Sequence, residues 1–151
     1  RNLRGGEGGL GARGGRISVA IDEQAWLDAW NSRNAGPIIA IADPEIEVHA
    51  VTLGIDGRHY VGHEGLKQWM RDIRDRFNAY STAESIEPLG DDAVLVRGTL
   101  FMRNELGDED TQAFAMVVHL RDDKASWIGT FFSAADAKAA YNSGVTGPQP
   151  G

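Results

Sequence analysis

Apolar and polar positions alternate with period two through much of the second half of the chain. Residues 112–121 and 124–132 are rich in β-branched and aromatic side chains, and only Asp122-Asp123 separates them, so the pattern predicts a long hairpin. Pairing outward from that turn sets Leu120 opposite Ala125, Val118 opposite Trp127, Met116 opposite Gly129 and Phe114 opposite Phe131. One face is then bulky and apolar. The other, with Ala113, Ala115, Val117, His119, Ser126, Ile128, Thr130 and Phe132, is smaller and partly polar.

The same period marks residues 93–104, where Val94, Val96, Gly98, Leu100 and Met102 share a face, and residues 45–51, where Ile46, Val48 and Ala50 oppose Glu45, Glu47 and His49. Residues 59–61 form a brief strand, and residues 81–89 a weaker one that ends at or runs along an edge because of Pro88. Helical spacing replaces alternation elsewhere. Residues 17–33 cluster Trp26, Leu27 and Trp30 on one face behind Ser18 as N-cap, and Pro37 opens a short helix over residues 38–42 that Asp43-Pro44 stops. Leu66, Trp69, Met70, Ile73, Phe77 and Tyr80 make the longest apolar stripe, with Lys67, Arg71, Asp72, Asp75 and Arg76 as a solvated charged face. Ser133 with Asp136 three residues on predicts a last helix through Ala140. Gly129 is a candidate bulge that would decide which of Phe131 and Phe132 points inward.

Helices, a strand, another helix and then strands joined by short turns are an α+β pattern, in which the helices cover one side of a curved antiparallel sheet. Composition narrows this to one domain, since 151 residues at 42% hydrophobic suffice for one core. Residues 1–16 hold seven glycines and only two leucines and read as a disordered Gly/Arg-rich leader, residues 17–141 as the folded domain and residues 142–151 as a flexible tail. The leader carries four Arg against one Glu. The formal charge of −7 therefore leaves 11 basic against 21 acidic residues in the remainder, a body that repels nucleic acid and anionic membranes. Absence of cysteine removes thiolate chemistry, disulfides and cysteine metal sites. With no apolar run of spanning length, the expectation is a cytoplasmic protein.

In four segments, Ala29-Trp-Asn-Ser-Arg-Asn-Ala-Gly36 with residues 38–42, Asp43-Pro-Glu-Ile-Glu-Val-His49, Tyr60-Val-Gly-His-Glu-Gly-Leu66 and Leu120-Arg-Asp-Asp-Lys124, the sequence resembles the nuclear-transport-factor-two-like superfamily. The likeness is to its SnoaL-like polyketide cyclase and ketosteroid isomerase-like branches. It implies a cone-shaped α+β barrel with a pocket between sheet and helices, dimeric through the outer surface of the sheet. It also implies proton-transfer chemistry of isomerase, cyclase or hydratase type on a small hydrophobic molecule, with no cofactor. An isomerase of that family uses a carboxylate at the end of the first strand, a tyrosine on the first helix and a second acid on the penultimate strand. The matching positions here are Ala50, Trp26 and the neighbourhood of Met116, none of which moves a proton.

The candidate catalytic residues are accordingly His49 and Tyr60, the first as a near-neutral general base. Against this, alternation groups His49 with Glu45 and Glu47 away from the apolar side. Trp26, Trp30, Tyr60, Trp69, Met70, Met116, Val118 and Trp127 are the candidate ligand-binding residues, an apolar wall with indole N–H donors. No metal site is expected: His59 and His63 lie near Glu64 but lack helical His-Glu spacing or a third ligand. His119 is expected to make a cross-strand hydrogen bond near Ser126. Leu95, Arg97, Phe101 and Arg103 share a face suited to a dimer interface. The alternative function is a non-catalytic dimeric interaction module whose core is filled by its own side chains.

Overall fold

The computed structural model describes residues 21–50, 59–76 and 78–148. The leader and Ser18 lie outside them, as does Phe77. Helix α1 spans Glu23–Asn31 and is capped by Asp22, whose Oδ1 accepts from the Ala25 N–H at 3.0 Å. Helix α2 covers Ala35–Ala40, with Pro37 in its first turn. Strand β1, Ala42–His49, follows directly, so Asp43-Pro44 starts a strand as well as ending a helix. Strand β2 is His59–Val61, and helix α3 runs Gly62–Arg76. Then come β3 (Ala79–Leu89), β4 (Ala93–Arg103), β5 (Glu109–Arg121), β6 (Lys124–Phe131) and α4 (Ala134–Asn142), the last capped by Ser133 on the Asp136 N–H. Tyr80 belongs to β3 rather than to the stripe of α3.

The six strands form one curved sheet in the order β2-β1-β6-β5-β4-β3. It is mixed rather than wholly antiparallel: β1 runs parallel to β6, because α3 and the β3-to-β6 meander carry the chain back to the side of β1. Asp122 and Asp123, at φ 53° and 64°, make the two-residue turn between β5 and β6 with the left-handed backbone that matches strand twist.

Register in that hairpin differs from simple outward pairing. Leu120 faces Ala125 as expected, but His119 then faces Trp127 and Val118 faces Ile128. Ser126 is the extra residue of a bulge, and its Oγ donates to the His119 carbonyl at 3.1 Å. One residue of slip exchanges the faces of everything beyond it. Ile128 joins Val118 inside, whereas Trp127, Gly129 and Phe131 turn outward; the bulge is at Ser126 rather than Gly129, and Phe132 is 44% exposed.

Inward, a row Val94, Val118, Ile128, Val48 crosses four strands and packs under Trp26, Ile38, Leu66 and Trp69 from α1, α2 and α3. Outward, α4 lays Ala137 on Leu95, Ala115, Val117 and Trp127. The helices thus do not all share one side, because the register shift gives the outer face its own apolar patch to cover. Beyond α4, the chain places Thr146 and the buried Gly147 against His119. No helix among the described residues is long and apolar enough to cross a membrane.

Candidate functional site

Between the inner face of the sheet and helices α1 to α3 lies a partly open cavity of about 620 Å³. Small residues on the inner face of β3 keep it open: Ala79, Ser81 and Ala83 stand where larger side chains would fill it. Gly98 on β4 serves the same end indirectly, since a Cβ there would collide with the Thr82 carbonyl and push β3 away. Trp30, Trp69, Met70, Leu100, Phe114 and Met116 form the apolar wall.

The charged residues of the lining are all of one sign. Arg33, Lys67, Arg71 and Arg74 border the cavity, and among the described residues no carboxylate lines it, although the chain as a whole is acidic. Arg33, at φ 59°, lays its guanidinium 4.0 Å from the Tyr80 ring centre, a cation-π contact across the sheet edge. Arg71 donates to Gln68 Oε1 at 2.8 Å. Lys67 and Arg74 pair with Glu64 and Asp75, both on the solvent side of α3. The Asp75 hydrogen bond raises the Arg74 pKa, so this residue stays cationic throughout. Among the described residues, one buried side-chain polar atom has no hydrogen-bond partner, the Nε1 of Trp30, a residue that also contributes to the cavity wall. An unpaired buried donor is costly.

The sequence-derived candidates divide into three groups. Trp30, Trp69, Met70 and Met116 line the cavity. Trp26 and Val118 are instead sealed in the core at 4% and 0% exposure, and Ala50, at the position of the isomerase base, is likewise buried. Trp127 is on the opposite face, displaced there by the Ser126 bulge, with its indole over Gly129: a Cβ at that glycine would lie 2.5 Å from the ring. His49 is also on the outer face, stacked between His59 at 4.3 Å and Trp127 at 5.0 Å.

Tyr60 faces inward beside Val48 but is not part of the cavity lining. Its hydroxyl donates to Asp72 Oδ2 at 2.7 Å, and Gln68 Nε2 donates to Asp72 Oδ1 at 2.8 Å. Asp72 is 6% exposed and the one buried charged residue among those described. The helical pattern assigns it to a solvated face because nothing local announces that Tyr60, twelve residues earlier, folds over it. The outer face holds a second polar group that spacing does not reveal. Here His59 Nε2 lies 3.1 Å and His49 Nε2 3.4 Å from Glu47 Oε1. His63 is apart, 3.1 Å from the Ala42 carbonyl, and Glu64 is engaged by Lys67. The only hints were the shared parity of Glu47 and His49 on a strand and the hairpin that returns His59 across from His49.

No family model matches the sequence, and no curated protein does either. Solved structures do. TerC co-crystallised with polyporic acid is 21% identical, with a TM-score of 0.61 over 75% of this chain and 92% of that one. A hypothetical protein with a ketosteroid isomerase-like fold from Catenulispora acidiphila, in complex with trimethylamine, is 16% identical (TM-score 0.58; 77% and 88% covered). A putative polyketide cyclase from Sinorhizobium meliloti is 14% identical (TM-score 0.54; 71% and 90% covered). The fold is the NTF2-like, ketosteroid isomerase-like cone to which the sequence bears resemblance.

Proposed function

We propose that this chain binds a small organic molecule, apolar over most of its surface and carrying an acidic group, in the cavity between the sheet and α1 to α3. The observation that carries this reading is the pairing of an apolar wall with a border of four cations and, among the described residues, no carboxylate. An apolar guest gains by leaving water, while an anion at the border meets Arg33 and Arg71. Two ligand-bound structures of the same fold support small-molecule binding in general, one holding polyporic acid and the other trimethylamine. The basic border favours the acid over the amine. An open cavity also weighs against the alternative of an interaction module with a self-filled core.

The test is tryptophan fluorescence titrated with a naphthoate and with the matching neutral naphthylmethanol. The carboxylate should bind more tightly, lose affinity as salt rises, and lose it again in Arg33→Ser. Ala83→Phe should fill the cavity and abolish both signals. Equal affinities for the two compounds, or no response at millimolar concentration, would overturn the reading.

A catalytic version of this function rests on the Tyr60–Asp72 pair, because His49 faces away from the cavity. Tyr60 and Asp72 together could pass a proton to or from a guest that reaches deeper than the cavity wall, in an isomerase, cyclase or hydratase type of reaction. Tyr60→Phe should then eliminate turnover of a cyclisable ketone while leaving naphthoate binding intact. Self-association belongs to the outer face of β3 and β4. Leu95 is taken up by α4 there, leaving Phe101, stacked on Tyr80 at 4.8 Å, as its apolar centre. Sedimentation of Phe101→Asp against the parent chain decides it.

A further inference from the structure

Glu47, His49 and His59 meet at the β2 edge of the sheet, on the side away from the cavity. Glu47 and His49 are two residues apart on β1 and so share a face, and antiparallel pairing sets His59 directly across from His49. One ligand atom from each lies within 4.8 Å of the other two. Both imidazoles aim Nε2 at the same carboxylate oxygen, at 3.1 and 3.4 Å.

The 3.1 Å contact has an ordinary hydrogen-bond length, while the 3.4 Å contact fits a second use of the cluster better. A hydrogen bond from an imidazole N–H to a carboxylate is strongest at about 2.7–2.9 Å, and 3.4 Å is long for one. Around a four-coordinate zinc ion with bonds of roughly 2.0–2.1 Å, neighbouring ligand atoms stand about 3.3–3.4 Å apart. The Glu47 contacts fall at or close to that spacing. His49 is also held in place before any ion arrives, since its ring lies against Trp127, which in turn occupies the space left by Gly129. The three side chains are 36%, 35% and 46% exposed, so an ion reaches them from solvent and keeps a coordination position for water.

We propose that Glu47, His49 and His59 form a binding site for a late first-row divalent cation, with zinc the ion that fits best. Two imidazoles and one carboxylate suit zinc, nickel or copper and do not suit calcium or magnesium, which take oxygen ligands. The ion would clip the three-residue edge strand β2 onto β1. Its three protein ligands and open fourth position are those of a reactive rather than a closed structural site. The proposal is independent of the cavity and its guest.

The chain suits a direct test, because it has no cysteine and only four histidines, of which His63 and His119 have other partners. Full-length protein stripped with chelator is titrated with Zn²⁺ by calorimetry and melted with and without it. One ion should bind per chain and raise Tm by several degrees, whereas Ca²⁺ should do neither. Cu²⁺ should quench the Trp127 emission next to His49. His59→Ala and Glu47→Gln should each weaken Zn²⁺ by at least about tenfold, with His63→Ala unchanged. His59→Gln, at an exposed position and close in size, guards against a folding defect, and metal-free melts of each variant should match the parent. No heat of Zn²⁺ binding at millimolar concentration would overturn the proposal, and so would full affinity retained in both His59→Ala and Glu47→Gln.

Discussion

Val118 and His119 are neighbours in β5 and serve two different surfaces. Val118 belongs to an aliphatic row with Val94, Ile128 and Val48, none of them exposed to solvent. His119 belongs to a chain of rings that runs from His59 through His49 and Trp127 to His119 and Tyr141. The inner contacts are non-directional, tolerate an unfilled volume and carry no charge that titrates. The outer contacts are directional and respond to protons and, on the proposal above, to metal. A guest in the cavity and a proton or metal ion at the ring chain therefore act on opposite sides of one backbone. What keeps the two apart is the parity of each strand, and in β6 that parity is reset by the bulge at Ser126.

The harshest way to break the separation is to change that parity. Deleting Ile128 moves Gly129, Thr130 and Phe131 each to the wrong side and leaves the row beside Val118 without its partner; no cooperative unfolding transition should remain. Deleting Ser126 should be tolerated, because Ala125 and Trp127 already pair with consecutive residues, Leu120 and His119. A folded ΔSer126 with reduced Tm beside an unfolded ΔIle128, compared by circular dichroism melts, is the expected pair. If both unfold, the bulge does more than absorb a residue.

This contrast also marks what the sequence makes legible. The Asp122-Asp123 turn, the long amphipathic α3, the Ser133 cap and the alternation of β1 are local patterns, and each predicted element is present. Trp30, Trp69, Met70 and Met116 reach the cavity for the same reason, since their faces follow from period alone. Trp127 went to the wrong face because an unpaired serine inside a strand looks like any other serine. Asp72 and the Glu47, His49, His59 cluster were hidden for another reason: their partners arrive through chain folding. Periodicity says which side a residue takes and nothing about who meets it there.

Two tryptophans should separate the faces at the level of single substitutions. Trp127 is 6% exposed, wedged among Leu95, Val117 and Ala137, and Trp127→Ala should cost about 3–5 kcal/mol in denaturant melts. Trp30 is only partly buried and carries a donor without a partner. Trp30→Phe removes that donor, and an unsatisfied buried group costs about 1–3 kcal/mol, so the loss of packing should be largely offset and stability should hold to within about 1 kcal/mol. A large loss at Trp30 would mean that its N–H is satisfied by water.

The smallest effect is the dependence of stability on pH, and it belongs to the outer face. His119 packs edge-on to Trp127 and lies 2.8 Å by Nε2 from Thr146 Oγ1. Burial lowers its pKa, partly opposed by the Asp92 carboxylate 4.0 Å from Nδ1. The unfolded chain then binds a proton more readily than the folded one, so stability is fully present above the ordinary imidazole value of about 6.5 and declines as pH falls through it toward the lowered folded value. Asp43 acts in a lower window. The Arg121 guanidinium, at 2.7 and 3.0 Å, and the Glu45 N–H hold its carboxyl below the usual range, so its contribution is present at neutral pH and is lost only as the carboxylate protonates. Melts of the parent from about pH 8 to about pH 5 should show a shallow fall that His119→Gln flattens and Asp43→Asn does not. Asp43→Asn should lower Tm by the same amount across that whole range, with its difference from the parent closing only in stronger acid. An unchanged slope in His119→Gln would overturn the assignment of the titration to His119.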